Sequence, residues 1–216
     1  MNLDQARFNM IEQQIRPCNI YNNEIINLFH QVKREKFVPK NYYNIAFSDL
    51  EIPLPGGQKM LAPRVEAILL QALGVTKESK ILEIGSGSGY ITACLAKMGD
   101  FVYAVEINED NKQLAAQNLI YAGINNVSLI KGNGIHGLAS KAPFDRIFIG
   151  GALINISQEI KSQLKIGGKL VGIIGQLPIL QAVLIERVKE NEYLQTVLFE
   201  TEVDYLINEN VAKFKF

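Results

Sequence analysis

From residue 80 onward, short apolar runs alternate with longer amphipathic stretches. The runs at 80–84, 101–106, 127–131, 144–149 and 168–174 are bounded by glycines or polar residues, which predicts buried strands. Helical spacing at 89–97, 109–122 and 157–164 falls between them. Two β-prone runs, 180–188 and 193–200, flank Lys189-Glu190-Asn191-Glu192 and predict a hairpin. Together these elements predict an α/β fold, a doubly wound, mostly parallel seven-stranded sheet ending in a C-terminal hairpin.

The first part of the chain follows a different pattern. Residues 3–16 predict an amphipathic helix that ends before Pro17. Residues 22–36 predict a second, with Ile25, Ile26, Leu28, Phe29 and Val32 on its apolar side. The Pro/Gly-rich stretch 37–62 predicts an ordered loop or short strands. A helix starts at Pro63, places Val65, Ile68, Leu69, Ala72 and Leu73 on one face, and stops at Gly74. The expected organisation is an N-terminal helical extension with its loop, 1–62, joined to a core, 63–216, in one structural unit. The last segment, Glu202–Phe216, matches no template.

The 216 residues are 48% hydrophobic, enough for a sizeable core. Lys+Arg 22 balance Asp+Glu 22, which argues against a dedicated nucleic-acid partner. No apolar run reaches the ~20 residues that span a bilayer, and Met1-Asn2-Leu3-Asp4-Gln5 lacks the form of a signal peptide, so no membrane partner and a cytoplasmic location are expected. Cys18 and Cys94 are expected as free thiols, the second in the core.

The chemistry concentrates at Ile81-Leu82-Glu83-Ile84-Gly85-Ser86-Gly87-Ser88-Gly89-Tyr90. This is a strand that ends in an acid and runs through a glycine turn into a helix. A second acid, Glu106, followed by Ile107, ends the next strand, ~20 residues after the glycines, where a carboxylate can grip ribose hydroxyls. A dinucleotide would bring a pyrophosphate to the turn, and a carboxylate at Glu83 would repel it. S-adenosylmethionine carries a sulfonium and an ammonium instead, which an acid attracts, so it is the expected cofactor.

Further candidates border the same crevice. Asn133 and Gly134 follow the third strand, and Asn133 is either an adenine contact or an ordinary Asn-Gly turn. Gly150 follows the fourth strand, where small residues stand instead of the polar-Pro-Pro-aromatic pattern of many amine methylating enzymes. His30 and His136 have no metal-ligand spacing, and no metal is expected. Ser86 and Ser88 do not fit a nucleophile elbow and are expected as turn or ligand hydroxyls.

With these residues in view, the chain resembles the protein-L-isoaspartate O-methyltransferase family from about Phe8 to about Glu200. Met10-Ile11-Glu12-Gln13-Gln14-Ile15 resembles its N-terminal helix and Lys33-Arg34-Glu35-Lys36-Phe37-Val38-Pro39 its R-E-x-F-V-P segment. Phe47-Ser48-Asp49, Ile52-Pro53-Leu54 and Gly57-Gln58 resemble the loop before its active site. Leu82–Tyr90 resembles its cofactor loop, Gly132-Asn133-Gly134 its Gly-Asp-Gly, and Leu164–Leu170 its L-K-P-G-G-R-L segment. The resemblance implies a Rossmann-like methyltransferase sheet and methyl transfer from S-adenosylmethionine to the free carboxylate of an L-isoaspartyl residue in a damaged protein. A carboxylate is ionised at neutral pH, so this chemistry needs no general base.

The sequence departs from the family in one loop. Where the family has Gly-Gln-Thr-Ile-Ser, this chain has Gly57-Gln58-Lys59-Met60-Leu61. Leu61 replaces the active-site serine and cannot donate a hydrogen bond, a loss worth ~1.5–3 kcal/mol toward a charged group. Gln58, Lys59, Met60, Leu61 and Arg64 are the candidate acceptor-site residues. Either Lys59 or Arg64 supplies cationic donors to an acid, or both are solvated surface charges. The alternatives to isoaspartate methylation are a changed acceptor and a cofactor-binding protein without catalysis.

Overall fold

The computed structural model describes residues 2–207. Positions 208–216 of the expected core and of the unmatched last segment lie outside the described residues.

The N-terminal extension is α1 (Leu3–Met10), capped by the Asn2 side chain, then a π turn at Ile11–Ile15 and a 3-10 turn at Arg16–Cys18. The expected helix therefore runs on past Pro17, which sits within that last turn. α2 (Asn23–Gln31) is shorter than expected. Val32 is extended, and a separate 3-10 turn at Arg34–Lys36 buries Arg34 and Glu35, which a continued helix would not do. Residues 37–62 hold another 3-10 turn, Lys40–Ile45, and two short antiparallel strands, β1 (Ile52–Pro53) and β2 (Lys59–Met60). α3 (Pro63–Leu73) starts at proline and stops at Gly74 in the left-handed region.

The core then runs β3 (Lys80–Ile84), α4 (Tyr90–Met98), β4 (Phe101–Glu106), α5 (Glu109–Tyr121), β5 (Val127–Lys131), β6 (Phe144–Leu153), α6 (Gln158–Ser162), β7 (Leu164–Gln176), β8 (Ile179–Lys189) and β9 (Glu192–Thr201). The last predicted helix is shortened because Leu164 already pairs with Phe144 as strand. The hairpin turn holds two residues, 190 and 191, where four were expected.

The seven strands lie in the order β5-β4-β3-β6-β7-β8-β9. β5 to β7 pair in parallel, and β8 and β9 add antiparallel. Alternate strand residues feed two cores. Ile81, Val102, Ala104 and Phe148 join the larger one with α1 to α5, whereas Leu82, Val105 and Ile147 join a smaller one beneath α6. The chain leaves β3 toward β4 and later returns to its other side as β6, so the sheet has a switch point between β3 and β6. Ligands of open α/β sheets bind outside the carboxyl ends of the strands at such a point.

Among the described residues no helix is long and apolar enough to cross a membrane. Cys18 and Cys94 are free and Cys94 is buried.

Candidate cofactor and acceptor site

At that switch point β3 ends in the glycine turn. Gly85, Gly87 and Gly89 have φ of +85°, +53° and +82°, a region closed to most side chains. Gly150 on β6 faces the turn so closely that a Cβ there would lie 2.7 Å from the Gly85 carbonyl oxygen. These glycines leave a cleft of about 680 Å³, counting its open mouth, which is the size of a cofactor site.

Glu106 lines the cleft wall and is buried. Its two carboxylate oxygens accept hydrogen bonds from the Gly87 and Asn108 amides, both 2.8 Å. Burial raises its pKa against the pull of these backbone donors. The same cleft takes in Ile107, Gly85, Gly87, Gly134 and Gly150. Asn133 also lines it, and its side-chain oxygen accepts from the Ile135 amide at 3.1 Å, which leaves the amide nitrogen of its side chain to donate. Asn133 therefore combines the Asn-Gly turn with a place in the cleft wall.

Glu83 lies elsewhere. It is fully buried beneath the turn and lines a smaller inner pocket with Ser86, Ser88, Tyr90, Met60 and Leu61. Thr92 donates to one Glu83 oxygen at 2.5 Å, while the other oxygen is without a partner. Burial pushes the Glu83 carboxyl up to about 8, the Thr92 hydrogen bond opposes this, and Glu106 adds to it. Glu83 is thus largely a neutral acid at pH 7 in the free protein, where the sequence suggested a standing charge. The Ser86 hydroxyl and the Tyr90 hydroxyl are also buried without partners beside this pocket. Tyr90 otherwise belongs to the core, edge-on to Phe29 and Phe37. The orphaned Glu83 oxygen and Ser86 hydroxyl, next to a glycine cradle, fit a ligand with a cationic polar end.

The loop around residues 51–61 closes the other side. Asn111 in the first turn of α5 accepts from the Gly56 amide at 2.9 Å and donates to Gln58 at 3.0 Å. Leu61 is 6% exposed and lines both pockets. Lys59 lines the cleft, and its ammonium pairs with Glu51 at 3.1 Å and Asp204 at 3.2 Å. Arg64 instead points its guanidinium at Asp49, 3.1 Å away, in a shallower groove outside the cleft. Of the two candidate cations, only Lys59 reaches the site.

Leu54, from the Ile52-Pro53-Leu54 motif, lines the cleft, and so do Glu51, Asn111 and the segment Val203–Ile207, which have no counterpart in the motif reading. That segment crosses the site by backbone bonds. The Ala152 amide donates to the Asp204 carbonyl at 3.0 Å, and the Leu206 amide donates to the Ala152 carbonyl at 2.9 Å. Arg34, wholly buried, donates to the Leu61 carbonyl at 2.8 Å and pairs with Glu66. His136 stands outside the cleft and bonds Glu159 at 2.9 Å on the surface.

The model of the family "Protein-L-isoaspartate(D-aspartate) O-methyltransferase (PCMT)" matches residues 5–207. The chain belongs to the protein-L-isoaspartate O-methyltransferase family. It is 34% identical to the protein-L-isoaspartate O-methyltransferase of Koribacter versatilis over 196 residues, 91% of this chain and 87% of that one. With the Petrotoga mobilis protein of the same name it shares 35% over 176 residues, 81% and 83% of the two chains. In fold it is similar to a solved protein-L-isoaspartate O-methyltransferase (TM-score 0.82, 23% identity, 97% of this chain and 67% of that one). It is similar as well to the Plasmodium falciparum protein crystallised with S-adenosyl-L-homocysteine (TM-score 0.80, 21% identity, 95% and 98%). Membership places the chain among S-adenosylmethionine-dependent methyltransferases related to this family.

Proposed function

We propose that the protein transfers a methyl group from S-adenosylmethionine to a carboxylate of damaged protein, of the L-isoaspartyl type. The observation that carries this is the Glu106 carboxylate, fixed by two backbone amides in the wall of a glycine-lined cleft. Glu106 would hold the ribose hydroxyls. Ile107, Asn133 and Gly134 would border the adenine, with the Asn133 side-chain amide as donor. Glu83 and Ser86 would face the cationic amino-acid end, and Gly85, Gly87 and Gly150 leave it room. Bound there, S-adenosylmethionine supplies an electrophilic methyl group.

The chain's own part is alignment and exclusion of water. The acceptor carboxylate arrives ionised, and no base is required of the protein. Leu54 and Leu61 dry the site, which strengthens charge interactions inside it. Holding the reacting atoms in line accounts for most of the expected rate.

A changed acceptor is the second reading, favoured by one observation: the loop offers Leu61 in place of a hydroxyl, and Lys59 is already paired with two carboxylates. The test is methyl incorporation into an isoaspartyl peptide beside the same peptide with normal aspartate. The first reading expects base-labile methyl ester on the isoaspartyl peptide alone. Labelling of neither peptide, with S-adenosylhomocysteine still bound, supports the second.

A further inference from the structure

Lys59 is the one cation among the described residues that line the cleft. An ammonium has three donors. Glu51 engages it with one oxygen at 3.1 Å and Asp204 with both carboxylate oxygens, at 3.3 Å and 3.2 Å, so the two acids cover all three. The two acids are not equivalent. The Glu51 side chain is 24% exposed, whereas that of Asp204 is 50% exposed. Asp204 is also the only one of the pair carried by the strand-like segment that crosses the site. Its backbone is held separately, because its carbonyl accepts from the Ala152 amide at 3.0 Å and the next residue, Tyr205, donates its hydroxyl to the Gly175 carbonyl at 3.1 Å. The Asp204 carboxylate can therefore swing away from Lys59 while the segment stays in place.

Resting on the carboxylate-acceptor reading above, we infer that Lys59 anchors the acceptor carboxylate and that Asp204 is its internal competitor. In the free protein the Asp204 side chain occupies the donor that an incoming carboxylate needs. The acceptor displaces it, and Glu51 keeps Lys59 pointed into the cleft. The arrangement explains how a family member with Leu61 retains a carboxylate site. It also makes Lys59 a specificity determinant: an acceptor without a carboxylate cannot replace Asp204.

Calorimetric titration of an isoaspartyl peptide into protein saturated with S-adenosylhomocysteine tests this. Relative to wild type, Asp204→Asn is expected to bind the peptide about three- to tenfold more tightly, since a neutral amide competes less for the ammonium. Lys59→Met is expected to bind about tenfold more weakly, and Lys59→Arg to stay near wild type. S-adenosylhomocysteine affinity should hold within about twofold in all three, which also verifies their folding. Unchanged or weaker peptide binding by Asp204→Asn overturns the inference, as does unchanged binding by Lys59→Met. Loss of S-adenosylhomocysteine affinity in Asp204→Asn makes Asp204 a strut for the segment and overturns it too. These failures leave wild-type methylation of the peptide intact. If neither wild type nor Asp204→Asn binds or methylates the peptide while both bind S-adenosylhomocysteine, the carboxylate-acceptor reading falls, and this inference with it.

Discussion

Arg34 and Glu66 form a buried ion pair, and the same guanidinium donates to the backbone carbonyls of Ala46 and Leu61. One side chain thus joins the N-terminal extension, α3 and the loop around residues 51–61. It also lies 5.0 Å over the Tyr90 ring at the start of α4. Burial raises the Glu66 pKa, and Arg34 holds it down. Removing one partner leaves the other charge stranded. Arg34→Met is expected to destabilise the protein by about 3–5 kcal/mol, and the double change Arg34→Met with Glu66→Leu by less than Arg34→Met alone. Urea denaturation of the three proteins measures both. Equal stability of the single variant and wild type would remove the pair from the account.

Glu83 gives a pH dependence of defined sign. Its folded pKa of about 8 is above the ordinary carboxyl value of 4.5, so the folded protein holds a proton that the unfolded chain releases. The contribution is fully present below about pH 4.5 and is lost as pH rises to about 8. Glu83→Gln removes the titration and can still accept the Thr92 hydrogen bond. Above pH 8 the variant should be more stable than wild type by on the order of 1–3 kcal/mol, with the difference shrinking toward pH 5. Thermal melts across that range test it. Binding of cationic S-adenosylmethionine should tighten with pH up to about 8 in wild type and stay flat in the variant.

Gly150 packs against the cofactor turn with no room for a methyl group. A Cβ there would lie 2.7 Å from the Gly85 oxygen and 3.3 Å from the Ile84 oxygen, both backbone atoms that cannot step aside alone. Gly150→Ala is expected to cost about 1–3 kcal/mol of stability, with the turn displaced and S-adenosylhomocysteine affinity reduced at least tenfold. Gly57→Ser, on the other side of the cleft, meets no atom within 4 Å and suffers only backbone strain at its φ of +83°. Its product affinity should stay near wild type, which calorimetry checks.

The core strands and the glycine turn were legible in the sequence because their signals are local. Apolar runs of strand length and glycines at alternate positions depend on neighbours within ten residues. The buried charges were less visible, though one sign existed. Glu66 falls on the same helical stripe as Leu69, Leu70 and Leu73, and an acid on an apolar stripe asks for a buried cation. Its partner Arg34 lies 32 residues away in the chain, and no periodicity connects them. The closure of the cleft by Val203–Ile207 was not legible for a similar reason. That segment pairs with Ala152 through isolated backbone bonds, which side-chain pattern does not encode. The helix expected through residue 36 failed at Val32, where burying Arg34 outweighs helix continuity.

The account depends most on the proposal that Glu106 holds the ribose of S-adenosylmethionine. Calorimetric titration with S-adenosylhomocysteine and, separately, with NADH tests it on wild type and Glu106→Ala. One S-adenosylhomocysteine per chain is expected to bind, about tenfold or more weakly in Glu106→Ala, where two backbone amides and the ribose lose their acceptor. NADH is expected not to bind. Tight NADH binding, or S-adenosylhomocysteine binding that ignores Glu106, would contradict the account.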